Sequence, residues 1–334
     1  QGNPARAYEL IAPLERLYEA NFDVQILLAE SAMLTGQNDK TAQALARTRR
    51  LRPDSPIPDL VEANMLERNA DLAGARRRLE DVVTNPAAPG KAFVDLARVM
   101  ERQGDHWAAR AAWGNVLVRQ PAQPDALYGL AHLLWLGGEQ QRADALIENS
   151  VSAPSAPSAA LESMRARYFS ATARPQRALE AARHAARLAP QDPLIANRFV
   201  FAQMNAGARA EAVVTAQAMT ESFPTSGLAW GALATSAAVA GRRDLAGPAF
   251  ERWIELAPDD PNATANFGYF LHVAGDNARA RDVLAAGIKR FPAYGTLWLN
   301  YGLALEALHD PAAVEAKRKG AALSTPEERA LLVR

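Results

Sequence analysis

The sequence predicts an all-α solenoid, a stack of about nine antiparallel helix pairs. Three observations predict it. Apolar and small residues return in phase at a period of about 34 residues. Within each period a Gly and later a Pro punctuate the chain, ending one helix and then the next. Small side chains recur at the same two places in most periods, which lets paired helices approach closely.

Each element can be read in order. Ala5 to Glu19 reads as a second helix alone, with Ala7 and Ile11 on its buried side. The frame from Phe22 carries Leu28-Ala29, Gly36, Leu45 and Pro53. The frame from Pro56 is degenerate, since Asp59 and Glu62 occupy usual core places. From Gly90 the frame carries Phe93, Leu96-Ala97, Gly104-Asp105, Ala109, Trp113 and Pro121, and the next repeats it with Leu127, Leu130-Ala131, Gly138, Ala143 and Ile147. Val151 to Ala160 reads VSAPSAPSAA, and the repeat that follows, to Asp192, is displaced by one residue. Leu161, Met164 and Tyr168 fit if the extra residue lies in the turn before Pro175; alternatively the whole first helix is shifted. The frames from Gly227 and Pro261 are regular, with Trp230, Leu233-Ala234, Phe250 and Pro258, then Phe267-Gly268, Ala280, Leu284 and Pro292. The frame from Gly295 starts with Trp298 and Tyr301-Gly302 and then decays, with Arg318 at an apolar place. Thr325-Pro326-Glu327-Glu328 then has the cap, proline and acids of a new helix start, reaching Arg334.

This pattern resembles the tetratricopeptide repeat family over essentially the whole chain. The resemblance implies a right-handed α-solenoid of antiparallel helix pairs with a concave face lined mainly by each repeat's first helix. The expected organisation is one solenoid over residues 1–334: a partial repeat at 1–21, repeats at 22–158, an irregular repeat at 159–192, repeats at 193–294, and at 295–334 a degenerate last repeat with the start of a following helix. A second helix without its first, and a helix opening at the end, suggest a chain that begins and stops inside a longer array.

Composition narrows the function. At 334 residues the chain exceeds the ~250–300 at which a compact core stops growing, which favours two domains or an elongated repeat. Formal net charge is +0, so bulk electrostatic binding to nucleic acid or anionic membrane is not expected. No apolar run reaches the ~18 residues of a membrane span, so direct membrane insertion is not expected. Gln1-Gly2-Asn3-Pro4 lacks the basic start of a signal peptide. The absence of cysteine excludes disulfides, thiol nucleophiles and Cys-based zinc sites. It fits either bacterial cytoplasm or periplasm, with a lean to the periplasm, and the preference for Arg over Lys with abundant Ala suggests a GC-rich bacterial genome.

No catalytic, cofactor or metal motif is present. The chain has no Gly-rich phosphate loop, no G-x-S-x-G and no H-E-x-x-H, and its five histidines are never at ligand spacing. We therefore expect no enzyme activity within the chain. Arg47, Arg49, Arg50 and Arg52, then Arg76, Arg77 and Arg78, fall on second helices; with acids such as Glu80 and Asp81 nearby they read as a solvated face rather than a contact for an anionic partner.

By the family's geometry, places two, five, six, nine, twelve and thirteen of a repeat face the groove, and their spacing puts them on one helix side. They hold Arg98 and Arg102; Tyr128, His132 and Trp135; Asn197, Arg198 and Phe201; and Asn266 and Tyr269, with His272 and Asn300 beyond. Tyr, Trp and Arg dominate binding hot spots, and Asn offers a donor and an acceptor to a peptide amide. A groove from about Arg98 to Phe201 is thus expected to hold an extended peptide. Asn266 and Asn300 stand where the family consensus is already Asn. The family's carboxylate clamp for chaperone tails is lacking, since Lys91 is the only lysine at a groove place. The functional expectation is a protein-interaction scaffold with a protein or peptide as partner and end-to-end self-association possible through its ends. The alternatives are the substrate-recognition repeats of a larger bacterial enzyme, a protein glycosyltransferase or sulfotransferase, and the periplasmic scaffold of an exopolysaccharide export machine.

Overall fold

The structure, a computed structural model, describes residues 4–151 and 158–324, and most of them are helical. The chain divides into two compact units, Gln1–Ser155 and Ala156–Arg334. Unit 1 holds α1 (Pro4–Ile11), α2 (Phe22–Leu34), α3 (Asn38–Leu51), α4 (Ile57–Arg68), α5 (Leu72–Thr84), α6 (Gly90–Arg102), α7 (His106–Arg119), α8 (Pro124–Leu136) and α9 (Gln140–Val151). Unit 2 holds α10 (Ala159–Ala171), α11 (Pro175–Leu188), α12 (Pro193–Asn205), α13 (Arg209–Ser222), α14 (Gly227–Val239), α15 (Arg243–Leu256), α16 (Pro261–Val273), α17 (Asn277–Arg290), α18 (Gly295–Ala307) and α19 (Ala313–Leu323). The fold is an all-α helical repeat solenoid.

Local chemistry sets the helix ends. Side chains of Asn21, Asp105, Ser158, Asp192, Ser226 and Asp260 accept hydrogen bonds from the first free backbone N–H groups of the helices they open. Pro124, Pro175, Pro193 and Pro261 stand in the first turn, where the missing N–H costs nothing. Each first helix stops at a residue of positive φ. In six repeats this is Gly, but Ala70 (φ 63), Ala173 (φ 56) and His309 (φ 57) take the same conformation.

Packing makes the stack. In unit 2 each helix lies on its successor, and the first helices α10, α12, α14, α16 and α18 also pack on one another in sequence. That row is the one the resemblance implies to line the concave face, the inner row of the unit. The core between rows is alanine-rich, with Phe250 stacked at 5.6 Å on Phe267 and 5.4 Å from Phe270. Burying one such side chain contributes about 1.5–3 kcal/mol. The small places are needed: a Cβ added to Gly268 would sit 2.3 Å from Cγ of the fully buried Leu284. Fourth-place tryptophans join successive repeats, since Trp230 Nε1 donates to the Pro224 carbonyl and Trp298 Nε1 to that of Pro292, both at 2.9 Å.

Several details differ from expectation. The first helix ends at Ile11, and Ala12–Leu14 form a 3-10 turn instead of continuing to Glu19. Pro13 lacks an N–H, and its ring clashes with the carbonyl four residues earlier. In the irregular repeat the whole first helix is shifted: α10 begins one residue late, and four residues lead from its last residue to Pro175, as from Leu136 to Gln140 in the preceding repeat. In the shifted frame Ala166 takes the small eighth place and Glu162 the fourth, where it is 5% exposed. The degenerate repeat from Pro56 keeps its acids at the fourth and seventh places by pairing them. Arg49 lies 2.6 Å from Asp59 and also bonds Glu62, and Arg78 reaches Glu62 at 3.3 Å. Burial works against the Arg49 charge, but these two carboxylates raise its pKa above the ordinary arginine value. The basic clusters are thus largely matched: Arg47 also meets Glu15, and Arg76 meets Glu80 and Asp105. Arg318 is exposed beside Glu315, and α19 buries Ala313, Ala316 and Gly320. Gln1 to Asn3, most of the Val151–Ala160 segment and the helix expected from Thr325 lie outside the described residues.

Candidate functional site

In unit 1 the expected residues stand on α6 and α8. Tyr128, His132 and Trp135 share one side of α8, and the Tyr128 and His132 rings stack at 5.5 Å with 14° between planes. His132 Nδ1 is buried, lies 3.9 Å from Glu101 Oε1 and makes no hydrogen bond. Glu101 is held by Trp113, whose Nε1 donates to it at 3.1 Å. The two arginines are engaged. Arg98 bonds Asp95, a carboxylate 1% exposed that also receives Lys91, and Arg102 meets Glu67 at 2.6 Å. Arg102 and Lys91 line a cleft of about 650 Å³ with Glu30, Met33, Asn64 and Glu67. Its walls carry both signs of charge, and Lys91 and Arg102 each pair with an acid of the unit.

In unit 2 the inner row builds a different surface. A cleft of about 390 Å³ is lined by Asn197 and Phe201 of α12, Leu228 and Thr235 of α14, and Asn262 and Asn266 of α16. A second cleft, about 400 Å³, is lined by Ser163, Arg167 and Ser170 of α10 with Arg198, Phe201 and Asn205 of α12. Phe201 belongs to both and is 39% exposed, an apolar ring left at the junction of the two clefts. Arg198 Nη1 donates to Ser163 Oγ at 2.6 Å. Oδ1 of Asn197 is buried with no hydrogen-bond donor. Tyr269 stands one turn along α16, half exposed, 6.4 Å from the His272 ring, and does not line either cleft. Asn300 is buried, and its Nδ2 donates to the Ala265 carbonyl at 2.9 Å, so it staples neighbouring first helices.

The structure therefore brings Asn197, Phe201 and Asn266 to one cleft and Arg198 and Phe201 to the next. Arg98, Arg102, Tyr128, His132 and Trp135 belong to unit 1 and take no part in these clefts. Arg167 and Ser170 escaped the sequence reading because the frame of their repeat slips by one residue; with α10 shifted they fall on the ninth and twelfth places. Leu228 and Thr235 were at groove places but carry no distinctive chemistry. Among the described residues no three His, Asp or Glu side chains gather as metal ligands, and no helix is long and apolar enough to cross a membrane.

Comparison with known proteins agrees with this architecture. The chain is 35% identical over 165 residues to cellulose synthase operon protein C of Pseudomonas fluorescens (strain SBW25). That stretch is 45% of this chain and 13% of the relative, so the chain spans only a small part of that protein's length. Among solved structures it is similar to a tetratricopeptide repeat protein from Parabacteroides merdae, at 16% identity over 82% of this chain and 94% of the other, with TM-score 0.49. It is also similar to YrrB, described as a TPR protein with an unusual peptide-binding site, at 19% identity over 55% of this chain and 95% of the other, with TM-score 0.36. The profile of the tetratricopeptide repeat family matches residues 119–286, half of the chain. The chain belongs to the tetratricopeptide repeat family.

Proposed function

We propose that the chain is a protein-interaction scaffold that holds an extended segment of a partner on the inner row of unit 2. One observation carries this reading: the two clefts of about 390 and 400 Å³ meet at Phe201. Together they draw lining side chains from four successive first helices, α10, α12, α14 and α16. A continuous trough with an exposed aromatic at its centre and amides along its walls suits a peptide backbone with one anchoring side chain. The mixed-charge cleft of unit 1 has the exposed aliphatic Leu34 on its wall but no aromatic ring.

The test is affinity capture with the native chain beside a Phe201→Ala/Asn266→Ala variant, captured proteins being identified by mass spectrometry. Both side chains are exposed enough for the variant to keep its fold. A protein held by the native chain and lost by the folded variant supports the trough. Equal capture by both excludes it.

A second reading has its own observation. The 35% identity to part of cellulose synthase operon protein C favours a repeat region within a longer protein of polysaccharide synthesis or export. Removing this region from the natural protein would then abolish polymer secretion. Unaltered secretion would discard that reading and leave the first untouched.

A further inference from the structure

We propose that Asn197 and Arg198, adjacent on α12, form a recognition point for an acidic side chain of the bound segment, so that the partner is a peptide bearing Asp or Glu beside a bulky apolar residue. The inference rests on the trough described above and adds the chemistry of its ligand.

Three observations carry it. Arg198 is exposed, its one protein hydrogen bond is to the neutral hydroxyl of Ser163, and it makes no ion pair among the described residues. This sets it apart from Arg49, Arg76, Arg98 and Arg102, each of which bonds an acid of its own unit. The Ser163 bond uses one Nη1 hydrogen and fixes the guanidinium at the wall of the α10–α12 cleft, leaving its other N–H groups for a planar carboxylate. Next to it, Asn197 Oδ1 is a buried acceptor without a donor on the wall of the α12–α16 cleft. Such an atom is costly until a donor arrives, and a peptide N–H is the donor that a bound backbone brings. Phe201, one turn further along α12 from both, supplies the apolar contact.

An uncompensated cation, an acceptor lacking a donor and an exposed ring are complementary to a carboxylate, a backbone N–H and an apolar side chain. The carboxylate comes from a side chain and not from a chain end. The α10–α12 cleft continues beyond Arg198 along Ser163, Arg167 and Ser170, a polar wall that a chain stopping at Arg198 would leave uncovered.

The test uses the full chain and position-scanning libraries of fluorescent decapeptides with amidated C-termini, so that side chains are the only source of carboxylate. Fluorescence anisotropy reads binding to the native chain, Arg198→Gln and Arg198→Glu, with circular dichroism confirming the fold of each. The native chain is expected to select Asp or Glu at one position beside an apolar residue. Arg198→Gln should weaken the selected peptide about tenfold, the scale of one charge-assisted hydrogen bond. Arg198→Glu should invert the preference to Lys or Arg, which a structural role for Arg198 would not produce. Peptides selected with no acidic preference, or one that Arg198→Glu leaves unchanged, overturn the inference while the trough reading stands. Binding restricted to a matched library with free C-termini overturns the side-chain assignment. No binding by any library overturns this inference, and the capture experiment then decides whether the trough reading falls with it.

Discussion

Glu162 Oε1 and His184 Nδ1 lie 2.7 Å apart, joining α10 to α11 through an acid that occupies a core place. The other Glu162 oxygen accepts from Arg165 at 3.1 Å. The shifted helix puts a carboxylate at the place where other repeats carry Phe93, Leu127, Trp230 or Trp298, and these partners make its burial tolerable.

Removing the acid leaves a small cavity and two donors without their acceptor. Glu162→Ala is expected to destabilise unit 2 by about 2 kcal/mol, and His184→Ala by about 1, the histidine being partly exposed. Measured by urea unfolding, the double variant should lose less than the sum of the singles. Strict additivity would show that the pair does not interact.

Ala173 ends α10 with φ 56, where six other repeats place Gly. Holding an L-residue there costs about 1–2 kcal/mol, and glycine's extra freedom in the unfolded chain offsets about 0.5–1 kcal/mol of the relief. Ala173→Gly should therefore stabilise the protein slightly, while the same change at the helical, buried Ala178 should destabilise it. A loss of stability at both positions would contradict the strain at Ala173.

Asp105 caps α7. Its acceptance of the Ala108 backbone N–H, then its bond to Arg76, hold its carboxyl below the ordinary aspartate value. A depressed native pKa means that the ionised form stabilises the fold. That contribution is complete above the unfolded value of about 3.9 and fades as pH falls through the lower native value. Asp105→Asn keeps an acceptor at the cap but not the charge. Its thermal midpoint should lie below that of the native chain at pH 7, and the gap should close in acid. A gap independent of pH would mean that geometry, not charge, carries the cap.

The repeat was legible because its grammar is local. Gly36, Gly104 and Gly275 meet a left-handed requirement that no neighbour can relax, and Pro193 and Pro261 mark helix starts by what they lack. Which groove residues act together was less legible. Arg98 and Arg198 look alike in sequence, each on a first helix at a groove place. The i, i+3 spacing of Asp95 and Arg98 is readable in the sequence, but only the fold shows that Arg198 faces a serine on the neighbouring helix. Arg167 was hidden because the sequence leaves open whether the one-residue shift falls before the first helix or in the turn before Pro175. The early end of the first helix was readable at Pro13, but the apolar spacing of Ala7 and Ile11 outweighed it.

The central claim is that a partner segment lies on the inner row of unit 2. The most direct measurement places a photo-crosslinking amino acid at Thr235, in the cleft beside Phe201, and separately at Trp107, which is 83% exposed on α7 of unit 1. The account predicts a covalent adduct with the captured partner from position 235, an adduct lost when Phe201 is also changed to Ala, and none from position 107. Crosslinking from position 107 with none from 235 would contradict it.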